Sequence, residues 1–474
     1  FFVLLELGLR LAGFGQSYPL FIPVSEAPDY LRANPDVVGR FVVGQKQVPD
    51  VAIRPVRFLA HKRPGSYRIF VQGGSTAAGY PYGYGASPAG MLQQRLRQTF
   101  PRQDIEVITT AMTAVNSYTL LDFSDEIIAQ QPDAVVIYAG HNEYLGLLGV
   151  GSTYSAGNSR AAVLTWLALR ELRIVQLLEL AWQAPATPDE SQTAQSDSER
   201  TLMARVVREP HIAMASPLCR RGLEQFRDNL SALLGRYRKA GIPVFIGTLV
   251  SNERDQEPFV SGLSPGTDGE RWQQLYGAGR DALRSDRLQE AEAAFRSAIA
   301  LDDSAAGAWF ALGEVLEAKG GYKEARRAYL AAKDRDQLRF RAPEIFNKVI
   351  RKLAAEHGAI VVDAQTALTD ASEHGIVGDD LMLEHLHPNL RGYFLMADAY
   401  YEAMHAAGLI GNWDHPVAAE EAWEAVPVTR IDRLNADYQI QRLKSDWPFQ
   451  EPGHPVRVRS SSGYVEQLAY RLFK

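Results

Sequence analysis

Five short apolar runs separated by helical stretches constrain this chain more than any other feature. They are Arg68–Val71 (RIFV), Ile105–Ile108, Ala134–Ala139 (AVVIYA), Pro243–Val250 (PVFIGTLV) and Ala359–Val362 (AIVV). Between them Met91–Phe100, Leu120–Gln131, Leu223–Ala240 and Ile345–His357 carry helical periodicity, and Pro132 ends the second of these stretches. Strands apolar on every residue, rather than on alternate ones, belong to a parallel sheet covered by helices on both faces. The expected class is α/β. In such sheets ligands bind beyond the carboxyl ends of the strands, so residues just past each run are the ones to inspect.

Composition narrows the function by exclusion. A net charge of -6 over 474 residues gives nucleic acid no purchase, and 46% apolar with 22% charged residues is an ordinary globular balance. The lone Cys219 excludes an internal disulfide framework and a Cys-rich zinc site. The ten histidines show no HExxH-like spacing, so neither a metal nor a cofactor is expected.

The chain divides into five parts. Residues 1–15 (FFVLLELGLRLAGFG) read as the tail of a membrane anchor, which would make the protein membrane-anchored and extracytoplasmic, periplasmic or at the cell surface. The competing reading is an amphipathic core helix with Glu6 and Arg10 four apart. An N-terminal extension, 16–66, has only short strand-like pieces such as Val38–Val43. The α/β domain covers 67–265 and 338–410, with a helical insertion at 151–216. There Val163–Trp182 reads as one amphipathic helix, because Arg170, Glu171, Arg173 and Glu179 break any membrane span, and Pro185–Arg200 reads as a polar mobile loop. A C-terminal extension spans 411–474.

The remaining part, 266–337, repeats. A shift of 34 pairs Leu275 with Trp309, Gly279 with Gly313, Leu288 with Tyr322, Ala291 with Ala325, Phe295 with Tyr329 and Ala298 with Ala332. Small residues where helices cross and large ones between them resemble tetratricopeptide repeats, whose surfaces bind protein partners. Flanking strands make this an insertion into the α/β domain.

Three constellations lie past strand ends. Gly73-Gly74-Ser75-Thr76 puts a hydroxyl at the sheet edge among small neighbours and free amides; a phosphate-cradling turn or a plain helix cap has the same pattern. Gly140-His141-Asn142-Glu143 offers a neutral side-chain donor, or a cap for a following helix. In Glu384-His385-Leu386-His387-Pro388-Asn389 a carboxylate lies three residues before a histidine, within range to fix its tautomer, while Pro388 suits the first turn of the next helix. Otherwise this is a surface loop with two solvated histidines.

Together the three constellations resemble the SGNH, or GDSL-like, hydrolase family over about 68–150, 223–250 and 345–409. The resemblance implies a flavodoxin-like three-layer parallel sheet, here with an inserted all-helical repeat segment. It also implies Ser75 as nucleophile, His387 as base and Glu384 in the acid position, with an oxyanion hole of the Ser75 amide, Asn142 and Ala111. Three positions depart from the family pattern: Gly74 replaces an Asp, Glu384 is one methylene longer than the usual Asp, and Ala111 replaces a Gly. Asn116, Asn252, Arg339 and Arg341 are expected to bind substrate, with Arg254 in a similar position to Asn252. The expected activity is hydrolysis of a carboxylic ester, on an acetylated glycan or a lipid, through an acyl-enzyme. Acyl transfer to a glycan uses the same residues. A catalytically weak, membrane-tethered scaffold binding a partner through the repeats is the third reading.

Overall fold

In the computed structural model, which describes residues 1–42, 51, 53–182, 201–451, 454 and 456, the apolar runs assemble into one parallel sheet. The strands are β1 (Phe21–Val24), β2 (Ala27–Ala33), β3 (Arg57–Leu59), β4 (Tyr67–Gly73), β5 (Ile105–Thr109), β6 (Ala134–Tyr138), β7 (Val244–Gly247) and β8 (Ile360–Val362). The main sheet runs β5-β4-β6-β7-β8 with every neighbouring pair parallel. The chain leaves β4 for one side and then crosses to the other, so the crevice past β4 and β6 is a topological switch point.

Alternate residues of these strands explain the unbroken apolar runs. Phe70, Ile108, Val135, Ile137 and Ile246 enter one core, beneath the helices Ser117–Ala129, Pro217–Lys239 and Glu344–His357. Ile69, Val71, Val107, Val136 and Phe245 enter a second, beneath Pro88–Thr99 and Leu390–Ala406. Each such fully buried side chain contributes about 1.5–3 kcal/mol relative to exposure. A charge is held there only by pairing, as Arg68 of β4 pairs with Glu106 of β5 at 2.7 Å.

The N-terminal extension forms a second, antiparallel sheet, β1-β2-β3. Phe21 and Phe58 meet edge to face at 5.1 Å, and both reach Phe70 of β4, which fastens this sheet to the main core. The strand expected at Val38–Val43 is instead a 3-10 helix, Pro35–Phe41, with Val43 outside the described residues. Pro35 sets the first turn, and the Asn34 side chain accepts from the Asp36 amide at 3.0 Å.

Two further expectations change. Val163–Trp182 is not one helix but two, Arg160–Leu169 and Arg173–Trp182. The break is held from outside: the Glu6 carboxylate accepts from the amides of Arg173 and Ile174, both at 3.0 Å, and so caps the second helix. The Phe2–Leu11 helix that carries Glu6 buries none of its residues, so it is no core helix. Among the described residues no helix is long and apolar enough to cross a membrane. The loop expected at Pro185–Arg200 lies outside the described residues.

Between β7 and the Glu344–His357 helix that leads into β8 stand four helices, Gly269–Arg284, Leu288–Leu301, Ala306–Ala318 and Tyr322–Arg335. Gly279 lies against the Phe295 ring and Gly313 against the Tyr329 ring; a Cβ at either glycine would come 2.6 Å from its ring. The outgoing and returning chains meet below the helices. Gln337 N–H donates to the Val260 carbonyl, and the Asp336 carboxylate accepts from the Phe259 and Val260 amides, all at 3.0 Å.

Candidate active site

β4 delivers Ser75 to the switch point through two glycines with steric duties. A Cβ on Gly73 would collide with Ala77 and the Tyr138 backbone, and one on Gly74 would sit 2.9 Å from Asn142 Nδ2. Ser75 then opens the short helix Ser75–Ala78. Its Oγ lies 2.7 Å from His387 Nε2, although 312 residues separate them.

The other imidazole nitrogen, His387 Nδ1, donates to Glu384 Oε1. The longer glutamate fits by folding back over its own turn, where it also accepts from the amides of His387 (2.9 Å) and Leu386 (3.3 Å). Its second oxygen contacts His385 Nδ1. This carboxylate therefore has little freedom left. Both histidines are buried, not solvated: His385 is 1% exposed and His387 7%. Burial pushes the His387 imidazole below its ordinary value, leaving it neutral at pH 7 and able to accept a proton. Asn389, rather than Pro388, opens the following helix: its side chain accepts from the Gly392 amide at 3.0 Å.

The donors facing this pair differ from the expected set. Asn142 lines the cleft, and the chain after it makes a turn rather than a helix, so it caps nothing. Its amide nitrogen faces Gly74. Ala111 is not a donor to the cleft, because its N–H is given to Thr109 Oγ1 at 3.1 Å, and its φ is not positive. Ala114 is the residue with the unusual backbone: φ is +58°, and it lines the cleft. A non-glycine residue held there stores strain, which recurs where a backbone group must face a ligand. Neither the Ser75 nor the Ala114 amide has an acceptor among the described residues.

The four expected substrate-binding residues are structural. Asn116 caps the Ser117–Ala129 helix by accepting from Tyr118 N–H at 3.1 Å. Asn252 donates to Asp379 at 2.8 Å. Arg339 spends its guanidinium on the carbonyls of Ile212 (2.8 Å) and Asp334. Arg341 binds the carbonyls of Asn252 and Gln256 at 3.0 Å and the Asp336 carboxylate at 3.2 Å. None of the four lines the cleft. Arg254 is likewise engaged, with Asp255, Glu317, Glu373 and Asp380.

The structure adds residues to which no motif assigned a role. The Tyr80 ring lies 4.7 Å from that of His387. His141 accepts from the Ala342 amide at 3.1 Å and is held well below its ordinary value by burial. Glu143, fully buried, is raised to about 7 by burial, against hydrogen bonds from Ser117 and Gln225. The cleft over Ser75 has a volume of about 460 Å³. Its walls come from the helices Leu202–Val206 and Arg430–Lys444, both outside the parallel sheet. Among the described residues no cluster of side chains could hold a metal ion.

No family model and no curated protein matches the chain. Solved structures do. A GDSL-like lipase from Bacteroides thetaiotaomicron is 12% identical at a TM-score of 0.33, covering 74% of this chain and 93% of its own. A lipase/acylhydrolase from Enterococcus faecalis is 14% identical at 0.32, covering 72% and 96%. An acetyl-xylooligosaccharide esterase from Geobacillus Stearmophilus is 12% identical at 0.32, covering 72% and 95%. These values are too low to carry an activity across, so the chemistry has to come from the site's own geometry.

Proposed function

We propose that this protein is an SGNH-type serine esterase that cleaves carboxylic esters through an acyl-enzyme. The observation that carries the reading is the relay Ser75 Oγ–His387–Glu384, with 2.7 Å between hydroxyl and imidazole. His387 Nε2 takes the Ser75 proton as Oγ bonds to the acyl carbon, and Glu384 stabilises the imidazolium through Nδ1. The oxyanion forms toward the amides of Ser75, Ala114 and the Asn142 side chain. The imidazolium proton then leaves with the alcohol. Water, deprotonated by His387, attacks the acyl carbon, and the acid departs as Oγ regains its proton.

Three further assignments belong to the same proposal. The glycine–aromatic contacts at 279/295 and 313/329, set 34 residues apart, support two tetratricopeptide-like repeats that bind a protein partner. Exposed Phe2, Val3, Leu4, Leu7 and Leu11 support attachment of the N-terminal helix to a membrane, and with it an extracytoplasmic location. An acetylated glycan or a lipid ester is the substrate class.

Comparing wild type with Ser75→Ala on phenyl acetate tests the central claim. The variant should lose about 10⁴-fold or more in kcat/KM. Equal rates would end the assignment.

A further inference from the structure

The chain carries 56 acidic and 50 basic residues, yet the cleft over Ser75 is charged the other way. Its lining includes Arg205 and Arg442 and neither an aspartate nor a glutamate. Arg339, Arg341 and Arg254, by contrast, are engaged by protein groups. Neither the Arg205 nor the Arg442 guanidinium has an ion-pair or hydrogen-bond partner among the described residues.

Their positions are linked to the reacting centre. On the Arg430–Lys444 helix, Asn435, Gln439 and Arg442 are spaced by four and three residues, so they form one stripe, and all three line the cleft. The Tyr80 hydroxyl donates to the Gln439 carbonyl at 3.3 Å, while the Tyr80 ring packs on His387. Tyr80 and Arg442 line the same cleft, and the charge of Arg442 opposes the upward push that burial gives the Tyr80 phenol. The helix bearing Arg205 is joined to the same segment, because Thr201 N–H donates to Asp446 at 2.9 Å.

We propose that Arg205 and Arg442 form an anion subsite, so that the preferred ester carries a carboxylate or phosphate group beyond the scissile bond. This rests on the esterase reading and names the substrate class for it. Guanidinium forks match both anions by paired hydrogen bonds, and an anion brought here meets no competing carboxylate on the cleft surface.

The test uses O-acetylated methyl galactoside against O-acetylated methyl galacturonoside, with O-acetylated galactose 6-phosphate as the phosphate arm. Wild type should favour at least one acidic ester by about tenfold in kcat/KM, and that preference should shrink with added salt. Arg205→Gln and Arg442→Gln should each lower the acidic-to-neutral ratio several-fold, and Arg442→Lys should lower it less. Equal turnover of acidic and neutral esters by wild type, or variants that slow all the esters alike, would overturn the subsite.

Calorimetry with unesterified galacturonate and with inorganic phosphate separates the two claims. If wild type fails on phenyl acetate while galacturonate or phosphate binding depends on the arginines, the hydrolytic reading falls and the subsite stands. If both anions bind wild type and the double variant Arg205→Gln/Arg442→Gln equally, the subsite falls.

Discussion

The floor and the walls of the cleft are built in opposite ways. The floor sets a half-buried Ser75 against the buried Glu384 and His387, and the three side chains are joined by hydrogen bonds in a row. The walls, Leu202–Val206 and Arg430–Lys444, bury only Ala204, Val206 and Ala436, and two of their arginines, Arg205 and Arg442, lack partners among the described residues. A satisfied floor has one geometry and can hold a reacting atom. An unsatisfied wall leaves its charges for something that arrives. The contrast assigns rate to the floor and selectivity to the walls.

Glu384→Gln should break this contrast most visibly. It removes the charge that steadies the imidazolium while keeping the shape, and kcat should fall by about 10³–10⁴-fold on any ester, acidic or neutral. A loss confined to acidic esters would move Glu384 from the floor to selectivity. Asn142→Ala comes next, with an expected loss of about 10²–10³-fold in kcat and little change in KM. A change in KM alone would make Asn142 a binding group. The smallest effect sharpens the comparison through pH. His387 is pushed down to about 3 by burial, so kcat/KM should hold through pH 6.5 and decline only as the pH falls toward about 3. Arg442→Gln should leave the midpoint of that limb in place, and a shift would mean that the wall tunes the base.

The main sheet was legible because its strands are apolar on both faces, a pattern that few other structures share. Ser75, Asn142, Glu384 and His387 were legible because each follows a strand end or lies in the one late loop that returns to that edge. Ala114 was not: in Thr113-Ala114-Val115 nothing marks a left-handed backbone, since the usual sign, glycine, is missing. Arg339 and Arg341 misled for a related reason. An arginine pair in a loop reads alike whether its guanidinium faces a ligand or main-chain carbonyls, and here the carbonyls take it. The break after Leu169 was hidden as well, because its cap, Glu6, is 167 residues away in sequence.

The closure at Val260 and Gln337 has a consequence for how such a molecule diversifies. The host domain meets the four helices through a hydrogen-bonded doorway framed by Asp336 and Arg341, and through the last helical pair, where Arg326 pairs with Glu253 and the Tyr322 ring stacks on His374. Loop-closure entropy grows only with the logarithm of length, so lengthening the excursion by another helical pair adds about 0.6 kcal/mol or less. Helical pairs can therefore be gained or lost ahead of that last pair without re-registering β7 against β8, and the reach of the protein can change while its chemistry stays the same.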